Sequence, residues 1–274
     1  MLPPDSNAGS VGLEYLFAQL YNPTEWAQAL NPDFGVMALY QRMFGDPWSR
    51  ARTIKPILPT GLSQPELTLP FEVGKLWSYS SGPHKAWETE GALAALDFAP
   101  ASDQGGCHPS DAWIIAIADG LVVRSQFGAV VLDLDKDGRE ETGWNILYMH
   151  VETRERVPVG TYLRAGDPIG HPSCEGGPAN GTHLHIARKY NGEWIAADGP
   201  FAFVMDGWTA HAGSKPFEGS LSKAGHVITA NPYGTRETYI IRQLQKPGYR
   251  RFEWIKAEQK SQRNSSSGAN KGLG

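Results

Sequence analysis

The chain has 274 residues, 41% of them apolar, enough for one large or two modest domains with a sizeable core. A formal net charge of −4 leaves no basic surplus to hold a phosphate backbone, which argues against nucleic acid as a partner. The longest apolar runs, such as "WIIAIA" at 113–118, are far too short to span a bilayer, and 31 glycines point to many turns and a β-rich body.

Residues 1–57 read as helical. Leu13, Leu16, Phe17 and Leu20 recur at helical spacing, and Asn22-Pro23 and Asn31-Pro32 each set a capping side chain before a proline at a first helical position. "FGVMALYQRMFG" then runs to a stop at Gly45, and Asp46-Pro47 restarts the chain. Three short helices bury little alone, so they are either the end of a larger helical domain or a small cap on the main one. The Pro- and Leu-rich stretch 56–74 reads as an extended linker. A main domain is expected over 58–230 and a C-terminal extension over 231–274, polar enough to be disordered from about 256.

After Gly82 the texture turns to β. "AWIIAI-ADG-LVVRS" reads as two strands around a tight Asp-Gly turn, and "GAVVLDL" and "WNILYMHV" as two more. "HLHIARKY-NG-EWIAA" is a hairpin on Asn191-Gly192, which favours a type I′ turn. Alternation in that hairpin puts His183, His185, Ala187 and Lys189 on one face and Leu184, Ile186 and Tyr190 on the other. One face can enter a core while two imidazoles share an open space.

A catalytic zinc takes three nitrogen or carboxylate ligands and keeps a fourth position open. Asp97 lies thirteen positions after His84 and sits in the apolar run "AALDFA". A carboxylate buried there needs a partner, either a salt bridge or a metal. His150 ends the strand "WNILYMH", where alternation sets it on the face of Trp144, Ile146 and Tyr148. Taken alone, it is an ordinary strand-end histidine.

Together these residues resemble the lysostaphin-type zinc metalloendopeptidases, the staphylolysin-like branch in particular. The order is His84, twelve residues, Asp97, then Tyr148-x-His150, then the run Gly181-Thr-His-Leu-His-Ile186. The run "VPVGTYLRAGDPIGH" at 157–171 is similar to that family's turn between the two histidine strands, and the likeness covers about 82–200. The resemblance implies a mainly β fold, an antiparallel, partly open barrel or sandwich, to which the short α-helical N-terminal segment read from residues 1–57 is added. It implies one catalytic Zn2+ held by His84, Asp97 and His185, with His150 and His183 as catalytic histidines. The implied activity is endopeptidase hydrolysis of stem or cross-bridge peptides in bacterial peptidoglycan through a metal-activated water. The expected partner is therefore peptidoglycan peptide, the chain a monomer and the location extracellular or the cell envelope. The rival is a non-catalytic wall-binding or amidase-regulating module on the same fold, whose signature is lost ligands. A second rival is a zinc peptidase acting on proteins outside the wall.

Three features stand outside that pattern. Asp133, Asp135 and Asp137 precede Gly138 like the start of an EF-hand loop, but Trp144 holds the twelfth position and strands flank it, so Ca2+ is not expected and a solvated acidic turn is. Cys107 and Cys174 are too few for a framework and are either separate thiols or one bridge. Their loops border the site, and a disulfide between them is the expectation. "MLPPDSNAGS" has no basic n-region and no apolar h-region, which conflicts with an exported enzyme; a true start upstream, the favoured reading, or export by another route reconciles the two. His108, His171, His211 and His226 are read as loop or surface residues.

Overall fold

A computed structural model describes residue 42 and residues 58–59, 61–87, 91–101 and 105–243. The chain divides into two compact units, Met1–Arg242 and Gln243–Gly274. The expected helical opening (apart from the helical Arg42) and the expected disordered tail lie outside the described residues.

The described part is almost entirely strand. In chain order these are β1 (Leu76–Lys85), β2 (Leu93–Pro100), β3 (Ile114–Ile115), β4 (Gly120–Gln126), β5 (Ala129–Asp133), β6 (Trp144–Met149), β7 (Tyr162–Leu163) and β8 (Pro168–Gly170). They continue with β9 (Leu184–Tyr190), β10 (Glu193–Trp194), β11 (Val204–Met205), β12 (Trp208–Ala212), β13 (Gly219–Lys223), β14 (His226–Thr229) and β15 (Tyr239–Ile241). The main sheet is antiparallel in the order β15-β1-β2-β9-β6-β5-β4-β7, with β10 on β9; β11 to β14 form a second sheet and β3 pairs with β8. None of the sheets closes into a barrel. No helix among the described residues is long and apolar enough to cross a membrane.

Period-2 alternation explains the layering. Leu184 and Ile186 of β9 join Ile146 and Tyr148 of β6, Val130 and Leu132 of β5, and Leu96 and Phe98 of β2 in the main core. The opposite face carries Ala95, Ala129, Val131, Leu147 and Ala187, mostly small side chains, which keep that floor low. The β9–β10 hairpin turns on Asn191 and Gly192, both at positive φ (49° and 82°), as a type I′ turn requires.

Three local expectations change. The stretch over 61–74 is extended, but it is no linker: Leu67, Leu69 and Phe71 are buried in the main core. At about 1.5–3 kcal/mol for each large apolar side chain fully buried, that packing fixes the strip to the sheet. The segments flanking Asp119-Gly120 do not pair with each other. Both edges of β4 are taken, by β5 and β7, so β3 pairs with β8 instead. Finally, Tyr239–Ile241 pairs with the outer edge of β1 as β15, past the expected end of the main domain.

The second sheet docks on the first through the β12–β13 loop. The Gly82 N–H donates to the Phe217 carbonyl (2.8 Å), and the Phe217 N–H donates to the Pro83 carbonyl (3.1 Å). A side chain on Gly82 would put its Cβ 2.4 Å from the Glu218 backbone, a contact neither partner can yield without main-chain movement. Gly82→Ala is therefore expected to lower stability by about 1–3 kcal/mol, read by urea unfolding. It is also expected to disturb His84, two residues on.

Candidate metal centre

β1, β2 and β9 are neighbours, and their register sets Asp97 opposite His185 and His84 opposite Ala95. Both pairings aim the three side chains at one point. His84 Nε2 lies 3.0 Å from His185 Nδ1, His84 Nε2 lies 3.3 Å from Asp97 Oδ1, and His185 Nδ1 lies 3.1 Å from the same oxygen. All three residues are buried.

The far side of each imidazole fixes its tautomer. His84 Nδ1–H donates to the Gly82 carbonyl (2.9 Å), and His185 Nε2–H donates to the Ala86 carbonyl (2.8 Å). A carbonyl only accepts, so the protons sit on those nitrogens and the facing nitrogens carry lone pairs. Asp97 Oδ1 is left buried with no donor aimed at it. Three lone-pair atoms in a triangle of 3.0–3.3 Å edges repel one another unless a cation lies between them. Tetrahedral zinc with bonds of about 2.0–2.1 Å needs ligand atoms about 3.3 Å apart, so the donor set fits the group in both kind and spacing.

The electrostatics agree. Burial would raise the Asp97 carboxyl, but the His185 and His84 imidazoles beside it outweigh burial and hold it well below the usual carboxylate range. Burial likewise pulls His84 down, and Asp97 more than offsets this, leaving the imidazole above its ordinary value. The pocket is built around an ionised carboxylate that needs positive charge, as protons or as a metal.

Two more imidazoles face the cluster. His150 Nδ1–H donates to the Glu175 carbonyl (2.8 Å) and His183 Nδ1–H to the Gly181 carbonyl (2.7 Å), so each keeps a lone pair on Nε2. Their rings lie 4.3 Å apart, and His183 Nε2 stands 3.8 Å from Asp97 Oδ2. Burial, helped by the nearby His183, pushes His150 down to about 4, so it is neutral at pH 7. Strict alternation would have pointed His150 into the core with Tyr148. Its backbone instead adopts φ +64°, which swings the ring across to the His183 side.

The five residues line a cavity of about 880 Å³. Trp87, Phe217 and the small residues Gly176, Gly177 and Ala179 also line it. Cys107 and Cys174 form a disulfide that anchors the latter loop next to Glu175, whose carbonyl holds His150. The bridge closes 67 residues, so replacing both cysteines with serine is expected to cost about 4 kcal/mol in urea unfolding.

Phe217 had no signal in the sequence. Its ring stacks on His84 at 4.5 Å with 24° between planes, although it is 58% exposed and its φ is +74°. The backbone carbonyls that orient the imidazoles likewise have no side-chain signature. His108, His171, His211 and His226 stay out of the cluster. His171 is no surface residue, however; it is buried between the Ala112 carbonyl and Glu155. The carboxylates of Asp133, Asp135 and Asp137 lie within 4.8 Å of one another. Both Asp133 oxygens already accept backbone N–H groups, from Asp135, Lys136 and Gly138. Glu140 in the same loop ties it down by pairing with Arg124 and with Lys189 (2.9 Å), both on the main sheet.

No family model and no curated protein matches this sequence. Solved structures do. The M23 metalloprotease pseudoalterin, of deep-sea origin, is 19% identical, with the match covering 61% of this chain and 96% of that one at a TM-score of 0.50. The catalytic domain of lysostaphin from Staphylococcus simulans is 24% identical over 44% of this chain and 87% of its own, with a TM-score of 0.31. LytU is 20% identical over 50% of this chain and 88% of its own, with a TM-score of 0.29. The architecture of this chain is the lysostaphin-type M23 metallopeptidase fold.

Proposed function

We propose that the chain is a zinc-dependent endopeptidase that hydrolyses peptide bonds in bacterial peptidoglycan, acting outside the cell or in its envelope. One observation carries the reading: three buried ligand atoms, His84 Nε2, Asp97 Oδ1 and His185 Nδ1, converge within 3.0–3.3 Å of one another, with two further imidazoles alongside. The wall peptide as substrate rests on the resemblance of 82–200 to the lysostaphin-type enzymes.

Two nitrogens and one carboxylate leave a divalent ion with one net positive charge. The chemistry zinc supplies when bound there is Lewis-acid polarisation of a carbonyl and a water acidified from about 15.7 toward about 7. The chain's own residues do the rest. His84 and His185 are oriented by the Gly82 and Ala86 carbonyls, so their lone pairs are set before any ion arrives. His150 and His183 divide two tasks at their Nε2 atoms: taking the proton released by the attacking water, and hydrogen-bonding the oxygen on which charge develops. Anchored by carbonyls, neither ring must reorganise during the reaction.

All five positions are filled by residues able to act, which favours an enzyme over a wall-binding or regulatory module. The test is digestion of purified peptidoglycan by zinc-loaded protein, with mass spectrometry of the soluble products. New peptide amino termini with intact glycan linkages are expected. Release of sugar-reducing ends, or no release from walls of several cross-bridge types, would contradict the proposal.

A further inference from the structure

We propose that the Cys107–Cys174 disulfide positions both His150 and His183, so that its reduction slows hydrolysis while zinc stays bound. The effect on rate rests on the peptidase reading; the effect on the two imidazoles does not.

The residues flanking each cysteine hold the histidines. On the Cys174 side, the Ser173 N–H and Oγ–H both donate to the His150 carbonyl (2.7 and 2.9 Å), and the Glu175 carbonyl accepts from His150 Nδ1–H (2.8 Å). The Ser173 carbonyl also accepts the His183 N–H (3.3 Å). On the Cys107 side, the Gly106 carbonyl accepts the Thr182 N–H (3.1 Å). The Thr182 hydroxyl accepts from the His108 N–H (2.9 Å) and donates to the His108 carbonyl (2.6 Å). Thr182 lies between His183 and Gly181, whose carbonyl orients the His183 ring. The bridge therefore joins the segment that holds His150 to the segment that holds His183.

It is also the strongest tie on these segments. No residue of 105–108 or 173–183 belongs to either apolar core. Their hydrogen bonds are each worth little net, and residues 105–107 and 176–178 are exposed, where water competes. The Glu175 carboxylate accepts from Thr153 (2.8 and 2.6 Å), but at the exposed end of a flexible side chain, which leaves the main chain freedom. A covalent link closing 67 residues does not open with such local fluctuations. His150 depends on it most. A non-glycine residue at φ +64° persists only where its surroundings over-determine it, and residues 173–175 supply much of that restraint. The three metal ligands are held otherwise, on strands paired along both edges, with the Gly82 and Ala86 carbonyls orienting His84 and His185.

Cys107 is exposed, so a reductant can reach the bridge, and the chain has no other cysteine pair to compete for it. A dithiol gives up two protons and two electrons to become a disulfide, and the Cys107–Cys174 bond breaks to two thiols. A chain in a reducing compartment would thus carry zinc yet turn over slowly, and gain its full rate where thiols oxidise.

The test is reversible reduction of the folded, zinc-loaded protein by a phosphine, which takes oxygen from water to become its oxide as the bridge breaks to two thiols. The reductant is then removed in the absence of oxygen. Reduced protein is expected to keep about one zinc, to lose at least about tenfold in kcat on a defined wall peptide, and to change KM by less than about threefold. Oxidised glutathione, which leaves as two molecules of the thiol, is expected to restore the rate. Nitrogen NMR of histidine-labelled protein is expected to show His150 and His183 as single Nδ1–H tautomers before reduction and as averaged ones after it. Three results would overturn the proposal: an unchanged kcat with both cysteines reduced, loss of zinc or of the folded sheet on reduction, or unchanged nitrogen signals. If the oxidised protein hydrolyses nothing, the peptidase reading fails and the nitrogen signals alone decide the role of the bridge: averaging on reduction supports it and constancy overturns it.

Discussion

His185→Ala is expected to lose its zinc and its hydrolytic activity together. The variant keeps Asp97 and His84, but two protein ligands fall short of the three that hold a catalytic zinc. Several kcal/mol of transition-state stabilisation disappear with the ion, and at about 1.36 kcal/mol per decade this is a loss of roughly three to four orders of magnitude in rate. Metal analysis of the purified variant should give well under one zinc per chain. A zinc content equal to wild type would remove His185 from the ligand set. The fold should survive, because the main core lies on the other face of β9 and is built from Leu184 and Ile186.

His183→Ala is expected to separate the two properties. Its Nε2 stands 3.8 Å from Asp97 Oδ2, beside the ligand triangle rather than in it, so the variant should keep about one zinc. Activity should fall by about 10²–10⁴-fold, the usual contribution of a positioned proton-transfer group, with the loss in kcat. His183→Ala is a cleaner probe than His150→Ala, because His150 occupies a left-handed backbone position that alanine accepts less readily. If His183→Ala loses zinc as His185→Ala does, the division between ligand and catalytic imidazole is wrong.

The strand reading around 183–190 carried much of what was legible. Alternation correctly sent Leu184 and Ile186 into the core and left His185 on the open face, because β9 is a regular strand paired on both edges. Asp97 in an apolar run was a buried carboxylate in need of a partner, and the register supplies His84 and His185 beside it. The same rule misplaced His150, since one residue at φ +64° undoes alternation and no residue type announces it. Residues 56–74 looked like a linker because proline and leucine do not reveal whether an extended strip is packed. Leu67, Leu69 and Phe71 are buried only because the sheet offers them a surface. The docking of Phe217 on His84 joins residues 133 apart through backbone contacts at Gly82, which have no periodic signature. The disulfide was expected because spacing put both loops near the site, and the fold brings Cys107 and Cys174 together.

The most direct test of the account is a zinc titration of chelator-stripped protein, following hydrolysis of a defined wall peptide. The account predicts no hydrolysis without metal, a linear rise with added zinc, and a plateau at one equivalent per chain; His185→Ala in the same titration should stay flat. Hydrolysis that persists in the stripped protein, or zinc that binds at one equivalent without restoring it, would contradict the claim that His84, Asp97 and His185 hold a catalytic ion.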